Sequence, residues 1–236
     1  MDLNKIIRFV VATTHDKKSF LNTDFYKFKQ IAVADTPFNN QFQFSIFFEN
    51  KQGLSSIYNQ YITEEYKDEY VVFVHDDVQI ADMFAAEKIM LGLNKYDIIG
   101  LAGTSKIVNT AYPAWHVMAG WQDKEIGRKH SLGEVAHKYS DSNIITSTYG
   151  PTTGRALLLD GLFIGVNVNK LIAADVKFDE DFKFHHYDLS FCLRANKAKL
   201  TMGVIQLFCT HAGLGDSMNT EEWKQSANNF YQKYLK

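Results

Sequence analysis

The sequence predicts an α/β fold, a mixed and mostly parallel sheet flanked by helices. Three observations predict it. Over the first ~80 residues, short apolar runs alternate with helical periodicities, the pattern of a parallel sheet with helices packed on it. The runs "IIRFVVAT" and "VVFV" are apolar and rich in β-branched residues, as in strands buried in a sheet. With 236 residues, 46% apolar and 14% aromatic, the chain is long enough to bury a substantial core.

Each element follows from its own stretch. "IIRFVVAT" (6–13) is apolar and opens into a polar turn, so it reads as a buried first strand. Residues 19–30 read as a helix. "QFQFSIFFEN" (41–50) starts as polar–aromatic alternation and becomes a strand. In "KQGLSSIYNQYITEEY", Leu54, Ile57, Tyr58, Tyr61 and Ile62 fall on one helix face. "EYVVFVHDD" is the third strand, and "YDIIGLAG" (96–103) another. Residues 104–150 read as a long polar excursion without regular elements. "GRALLLDGLFIGVN" (154–167) is strand-like on both sides of Asp160-Gly161. Helical spacing resumes with Asp188, Leu189, Cys192 and Leu193, and "LTMGVIQLFCTHAG" reads as a late strand. Trp223, Ala227, Phe230, Tyr231 and Tyr234 mark an amphipathic helix over 219–235, with Thr220 as its N-cap. A single apolar stripe on that helix suits packing on its own domain.

Bulk properties exclude several classes. A formal net charge of −2 gives no basic footprint for nucleic acid or anionic membranes. Cys192 and Cys209 form no CxxC, so neither a zinc-thiolate site nor a disulfide framework is indicated, and a cytoplasmic setting is expected. The start, "MDLNKIIRFVVATTHD", is too charged for a signal peptide. No run approaches the ~18 apolar residues of a membrane span.

The chemistry concentrates at strand and helix ends. His75, Asp76 and Asp77 lie at the carboxyl end of a strand, where parallel sheets bind ligands. Adjacent carboxylates repel, and a hard cation such as Mg²⁺ or Mn²⁺ relieves the repulsion. On these residues alone, a solvated turn is the more ordinary reading. In "FDEDFKFHHYDLSFCLRA" (178–195), Asp188 sits where a helix starts. It could be an N-cap, or a general base partly desolvated by the surrounding aromatics. His211 in "THAG" ends a strand, and alone reads as an ordinary surface histidine.

The order of these stretches carries more than each alone. "GLSSIYNQYI", "VVFVHDDV", "LDGLFIGV", "FDEDFKFHHYDLSFCLRA" and "THAG", in that order, resemble the GT-A glycosyltransferases. Within them the chain is most similar to family-2-type enzymes related to the StrF-like group of streptomycin biosynthesis, over roughly residues 5–215. The resemblance implies a GT-A (Rossmann-like) catalytic domain over 1–236. Its nucleotide-binding half would be about 1–103, its acceptor half about 104–215, followed by the C-terminal helix. It implies a metal-dependent, inverting transfer of sugar from a nucleotide-diphosphate donor, UDP- or GDP-linked, to a hydroxyl of a glycan or other acceptor.

Residue by residue, "HDD" stands in the place of the family's DxD motif. Asp77 matches its last Asp, which ligates Mn²⁺ or Mg²⁺ on the diphosphate. His75 takes the first Asp's place, as in the StrF-like group, and Asp76 the variable middle position. Asp188 matches the catalytic base, with Tyr187 replacing the usual Glu and Ser190 the second Asp. His211 matches a histidine that completes the metal site. Asp160 and Gly161 match the segment lining the donor-sugar or acceptor pocket, and Thr13 and Asp35 the strand ends that hold the nucleoside. Trp115, His116 and Trp121 could stack on a sugar, though covering the core is the preferred reading. Two other readings remain. A nucleotidyltransferase would usually carry a glycine-rich loop after the first strand, where this chain has "ATTHDKKSF". A non-catalytic nucleotide-sugar-binding module is favoured by Tyr187 and Ser190.

Overall fold

The computed structural model describes residues 5–33, 41–213 and 220–236. The predicted alternation appears at the start. β1 (Ile7–Ala12) leads to α1 (Asp24–Val33), β2 (Phe42–Phe47), α2 (Leu54–Asn59) and β3 (Tyr70–Val74). β1 pairs in parallel with β2 on one side and β3 on the other. Every residue of β3 is buried, as a strand covered on both faces requires. The predicted helix at 19–30 is two pieces: a 3₁₀ turn over Ser19–Asn22, then α1. Thr23 is extended between them, and its Oγ1 accepts the Tyr26 N–H at 3.2 Å, capping α1. Phe25 and Phe28 of α1 pack edge-on against Phe9 and Phe44, the aromatic half of the core. α2 is shorter than its periodicity suggests, with Tyr61 and Ile62 buried just beyond it.

β4 (Val78–Ile80), α3 (Ala85–Lys95), β5 (Ile98–Gly100) and β6 (Ala102–Thr104) follow. Residues 104–150 are not irregular, which corrects the expectation for that stretch. They hold α4 (Trp115–Met118), α5 (Lys124–His130) and a long antiparallel hairpin, β7 (Ser131–Ser140) with β8 (Asn143–Thr148). Its pattern hides it: β7 runs from buried Leu132, Val135 and Ala136 to an exposed end, and β8 is almost wholly exposed. Gly133 of β7 adopts φ +96°, and a Cβ there would stand 2.0 Å from the Leu101 carbonyl oxygen. The chain ends with β9 (Gly154–Ala156), β10 (Leu158–Leu159), β11 (Phe163–Asn167), α6 (Val168–Ala173), α7 (Tyr187–Lys197), β12 (Met202–Val204), β13 (Cys209–His211) and α8 (Glu221–Phe230). Thr220 Oγ1 accepts the Trp223 N–H at 3.1 Å and caps α8.

The strands form two sheets. The first is mixed, in the order β2-β1-β3-β11-β5-β12-β9, with α2 against β1, α3 against β5 and β11, and α6 against β11. β11 runs antiparallel between β3 and β5, while β12 pairs in parallel with β5. The second sheet has the order β10-β6-β7-β13-β4, with β8 added to β7. The chain crosses between the sheets several times, and two of these crossings are His75–Asp77, from β3 to β4, and Asp160–Leu162, from β10 to β11. His75, Asp76, Asp77, Asp160 and Gly161, among the expected site residues, thus lie at the seam where the chain passes between the sheets. Among the described residues, no helix is long and apolar enough to cross a membrane.

Candidate active site

The seam is built by register. β13 pairs antiparallel with β4, placing His211 opposite Val78, and the Ala212 N–H donates to the Asp77 carbonyl at 3.0 Å. His211 Nε2 consequently stands 3.4 Å from Asp77 Oδ2. With a nitrogen of His75, these ligand atoms all lie within 4.8 Å of one another. Asp77 Oδ1 is buried and has no hydrogen-bond partner among the described residues. A Cβ on Gly213 would reach 2.6 Å from His211 Nε2 and 2.9 Å from Asp77 Oδ2, so a side chain there would fill the cradle. One carboxylate and two imidazoles with an unspent buried oxygen suit a divalent cation of the Mn²⁺ type.

The electrostatics differ across that donor set. Burial pulls the His75 imidazole below its usual range despite the charge of Asp77, so it is neutral, as a ligand must be. Burial also works against His211, but the hydrogen bond and charge of Asp77 outweigh it and hold His211 above its usual range. Asp77 mirrors this: burial pushes it up, and His211, with help from His75, brings it below the usual carboxylate range.

Asp188 is the second residue of α7, and His186 occupies the N-cap in a left-handed conformation with φ +61°. Asp188 Oδ2 accepts the Gly161 N–H at 3.0 Å, and Oδ1 accepts the Leu189 N–H at 2.8 Å. Its neighbour Tyr187 donates its hydroxyl proton to the Gly161 carbonyl at 2.8 Å. Two consecutive residues therefore grip both sides of Gly161, and a Cβ there would fall 2.5 Å from Tyr187 Oη. Tyr187 Oη also lies 2.8 Å from His75 Nε2. The hydroxyl has one proton, already given to Gly161, so His75 Nε2 is the donor in this pair and its lone pair is left on Nδ1. Burial, reinforced by the charge of Asp160, pushes Asp188 up to about 7. Asp160 Oδ2 accepts Trp115 Nε1–H at 2.6 Å, and Oδ1 accepts the Leu162 N–H at 2.9 Å. Ser190 is buried and donates to the Tyr187 carbonyl at 3.0 Å.

His75, Asp160, Gly161 and Asp188 face a common pocket of about 310 Å³, which Phe184 and Trp223 also wall. Thr13 and Asp76 form a separate pair at the ends of β1 and β3, the Thr13 hydroxyl donating to the Asp76 carboxylate. Asp35 lies outside the described residues. Sequence reasoning missed Phe184, His185, Trp223 and Tyr149. The run "FKFHHYD" was the available signal for the first two, while Trp223 and Tyr149 arrive only through tertiary packing.

The chain is similar to several solved structures. The structure of GalNAc-T7 with UDP, GalNAc and Mn²⁺ matches with a TM-score of 0.50 and 7% identity, over 100% of this chain and 50% of that one. This chain thus spans half the length of that protein. A197 from STIV matches with a TM-score of 0.48 and 13% identity, over 87% of this chain and 85% of that chain. S. aureus TarS in complex with UDP matches with a TM-score of 0.45 and 12% identity, over 96% of this chain and 72% of that chain. No curated protein sequence matches the chain. The class is a glycosyltransferase of GT-A fold. The chain belongs to the Glycosyltransferase like family, whose model matches residues 22–234.

Proposed function

We propose that the protein is a metal-dependent, inverting glycosyltransferase with the His-Asp-Asp form of the DxD motif associated with the StrF-like group. Its donor is a nucleotide-diphosphate sugar, UDP- or GDP-linked, and its acceptor a hydroxyl of a glycan or similar molecule. One observation carries the reading: Asp188, a carboxylate poised near neutrality, faces the same pocket as His75, itself part of the three-residue cation cluster. Asp77 and His211, with His75, would hold Mn²⁺ or Mg²⁺. When bound, the ion supplies charge neutralisation for the leaving diphosphate. Asp188 takes the proton of the attacking acceptor hydroxyl, and a pKa near the working pH is what that role needs. Thr13, Asp76 and Asp35 belong to the nucleoside side, so residues of about 1–103 bind the nucleotide and those of about 104–215 complete the acceptor side. Tyr187 and Ser190, which depart from the family pattern, are both engaged in holding the start of α7 and the Gly161 turn. Their replacement therefore leaves the catalytic carboxylate supported.

Calorimetry with UDP and GDP, with and without Mn²⁺, tests the reading. Mn²⁺ tightens nucleotide binding to the wild type, and Asp77→Ala abolishes that effect. Asp188→Asn keeps nucleotide affinity and loses transfer by roughly 10²–10⁴-fold. Wild-type protein that binds no nucleotide in a metal-dependent way overturns the proposal.

A further inference from the structure

α7 begins in an uncommon way. Its N-cap, His186, sits at φ +61° and ψ +9°, a left-handed conformation that a residue with a Cβ keeps only where its surroundings impose it. The C-terminal helix imposes it. The His186 ring is buried and lies against Trp223 and Phe230 of α8, with centroids 4.8 and 5.7 Å away. Ser226, between them on the same face of α8, places Oγ 2.8 Å from His186 Nδ1 and donates to the His185 carbonyl at 3.1 Å. α8 is itself fixed by contacts that do not involve His186. Trp223 stacks on Tyr112 at 4.6 Å, Phe230 packs on Phe182 at 5.8 Å, and Tyr234, just beyond α8, binds Asp179.

What His186 holds is the first turn of α7. Its carbonyl accepts the Ser190 N–H at 2.9 Å, the hydrogen bond that opens the helix, and Asp188 lies inside that turn. The body of α7 has other anchors. Phe191 stacks on Phe178 at 4.1 Å, Cys192 Sγ accepts the Leu159 N–H at 3.3 Å, and Asn196 donates to the Leu157 carbonyl at 2.7 Å. Releasing His186 therefore frees the turn that carries Asp188 and leaves the rest of the helix in place.

We infer that His186 is a positioning residue for Asp188, held in its left-handed conformation by Ser226, Trp223 and Phe230 of the C-terminal helix. The inference rests on the proposed transfer for what Asp188 does, and on geometry alone for what holds it. The Gly161 N–H fixes the carboxylate, and α8, through His186, fixes the backbone that carries it. A base works only within hydrogen-bond reach of the hydroxyl it deprotonates, so a turn displaced by ~1 Å costs roughly 100-fold in rate.

The test uses the full chain as wild type, Ser226→Ala, Ser226→Thr and His186→Gly, each assayed well below its melting temperature. Ser226→Ala removes the hydroxyl and no titratable group, and Ser226→Thr keeps the hydroxyl. His186→Gly takes the left-handed conformation freely but has no ring for α8 to hold. In turnover of UDP- or GDP-sugars with Mn²⁺, kcat of Ser226→Ala and His186→Gly falls about tenfold, part of the loss of a fully misplaced base. KM for the donor and Mn²⁺-dependent nucleotide affinity stay at wild-type values, and Ser226→Thr keeps wild-type kcat. A second readout needs no turnover. In metal-free protein labelled with carbon-13 aspartate, the Asp188 carboxyl signal is the one missing from Asp188→Asn. In the wild type it titrates at about 7, a value set by burial and the charge of Asp160. In Ser226→Ala its midpoint falls toward the ordinary carboxylate range as water reaches the loosened turn, and in Ser226→Thr it does not. A midpoint unchanged in Ser226→Ala overturns the inference, as does kcat unchanged in that variant, or a loss of nucleotide affinity equal to the loss of kcat. If the wild type turns over no UDP- or GDP-sugar, the proposed function fails, and the carboxyl titration alone decides whether α8 positions Asp188.

Discussion

At the residue scale, two of the three departures that the resemblance marks, His75 and Tyr187, are partners. His75 stands where an Asp is usual and Tyr187 where a Glu is usual, and the two are hydrogen-bonded at 2.8 Å. Tyr187 Oη thus fixes the tautomer and orientation of His75, as the partner of a metal-ligating histidine would if His75 holds the proposed cation. Tyr187→Phe leaves the buried Gly161 carbonyl and the His75 N–H without their partner, a loss of about 1–3 kcal/mol in urea denaturation. It also lowers Mn²⁺ affinity by roughly 10–100-fold, read by electron paramagnetic resonance titration of the metal alone. Unchanged Mn²⁺ affinity would show that Tyr187 does not orient a ligand. Gly161 is the other single-residue test. An alanine there drives its Cβ into Tyr187 Oη and to 3.2 Å from Asp188 Cβ, so the start of α7 has to move. Misplacing a base by ~1 Å is worth about 100-fold in rate, so Gly161→Ala retains Mn²⁺-dependent UDP binding and loses kcat on that scale.

At the element scale, legibility tracked how local each signal was. β1, β3 and α2 were readable because apolar runs and i, i+3, i+4 spacing are local properties. "VVFVHDD" was readable as a site for the same reason: the strand is apolar up to the residue where the carboxylates begin. The second sheet was readable only in part: β6, β10 and β13 fall in stretches read as strand, but their assignment to a separate sheet was not visible, nor were β4, β7 and β8. β4, β6, β10 and β13 have only two or three residues each, so their existence depends on partners far away in sequence. The link from His211 to Asp77 belongs to this class, since it follows from the pairing of β13 with β4 and from nothing in "THAG". α8 illustrates the mixed case. Its stripe and cap were local, but its anchorage is not: Lys233 and Tyr234, just beyond it, both reach Asp179, and Ser226 meets His186 Nδ1 at 2.8 Å. Asp179→Ala strands the Tyr234 hydroxyl and leaves Lys233 with Asp181 alone, whose side chain is 74% exposed. The expected loss is about 1–3 kcal/mol, and the C-terminal helix opens first. Protease cleavage at Lys224 and Lys233, faster in the variant at unchanged protection of α3, checks it.

At the scale of the whole molecule, buried titratable groups on the seam give the protein a pH signature of opposing parts. Burial drives His186 down to about 4, with the charge of neighbouring His185 adding to it, and burial lowers His75, His116 and His137 as well. In each case the unfolded chain binds a proton near pH 6.5 that the folded chain refuses, so stability is lost as pH falls below that value. His211, held above its usual range by Asp77, acts in the other direction, and so does Asp188. Its folded value of about 7 lies above the 3.8 of a free carboxyl, so between those values the folded state keeps a proton the unfolded state has released. Its contribution therefore declines as pH rises from about 4 to 7 and is flat above. The four lowered histidines outnumber these two, so the melting temperature falls on acidification from pH 7 to 5. Asp188→Asn separates the two parts, because it removes a buried charge that the wild type must carry at pH 8 and that is already protonated at pH 4. In chelator, so that no cation bears on the seam, the variant melts above the wild type at pH 8, and the advantage disappears by pH 4. On the role proposed for Asp188, the same ionisation sets catalysis: kcat/KM of the wild type climbs with pH to a plateau through an apparent pKa of about 7, the value at which a base at that position loses its proton in the free enzyme. A melting difference between Asp188→Asn and wild type that is equal at pH 4 and pH 8 would place the Asp188 carboxyl in the ordinary acidic range, and with it remove the rise in rate near neutrality.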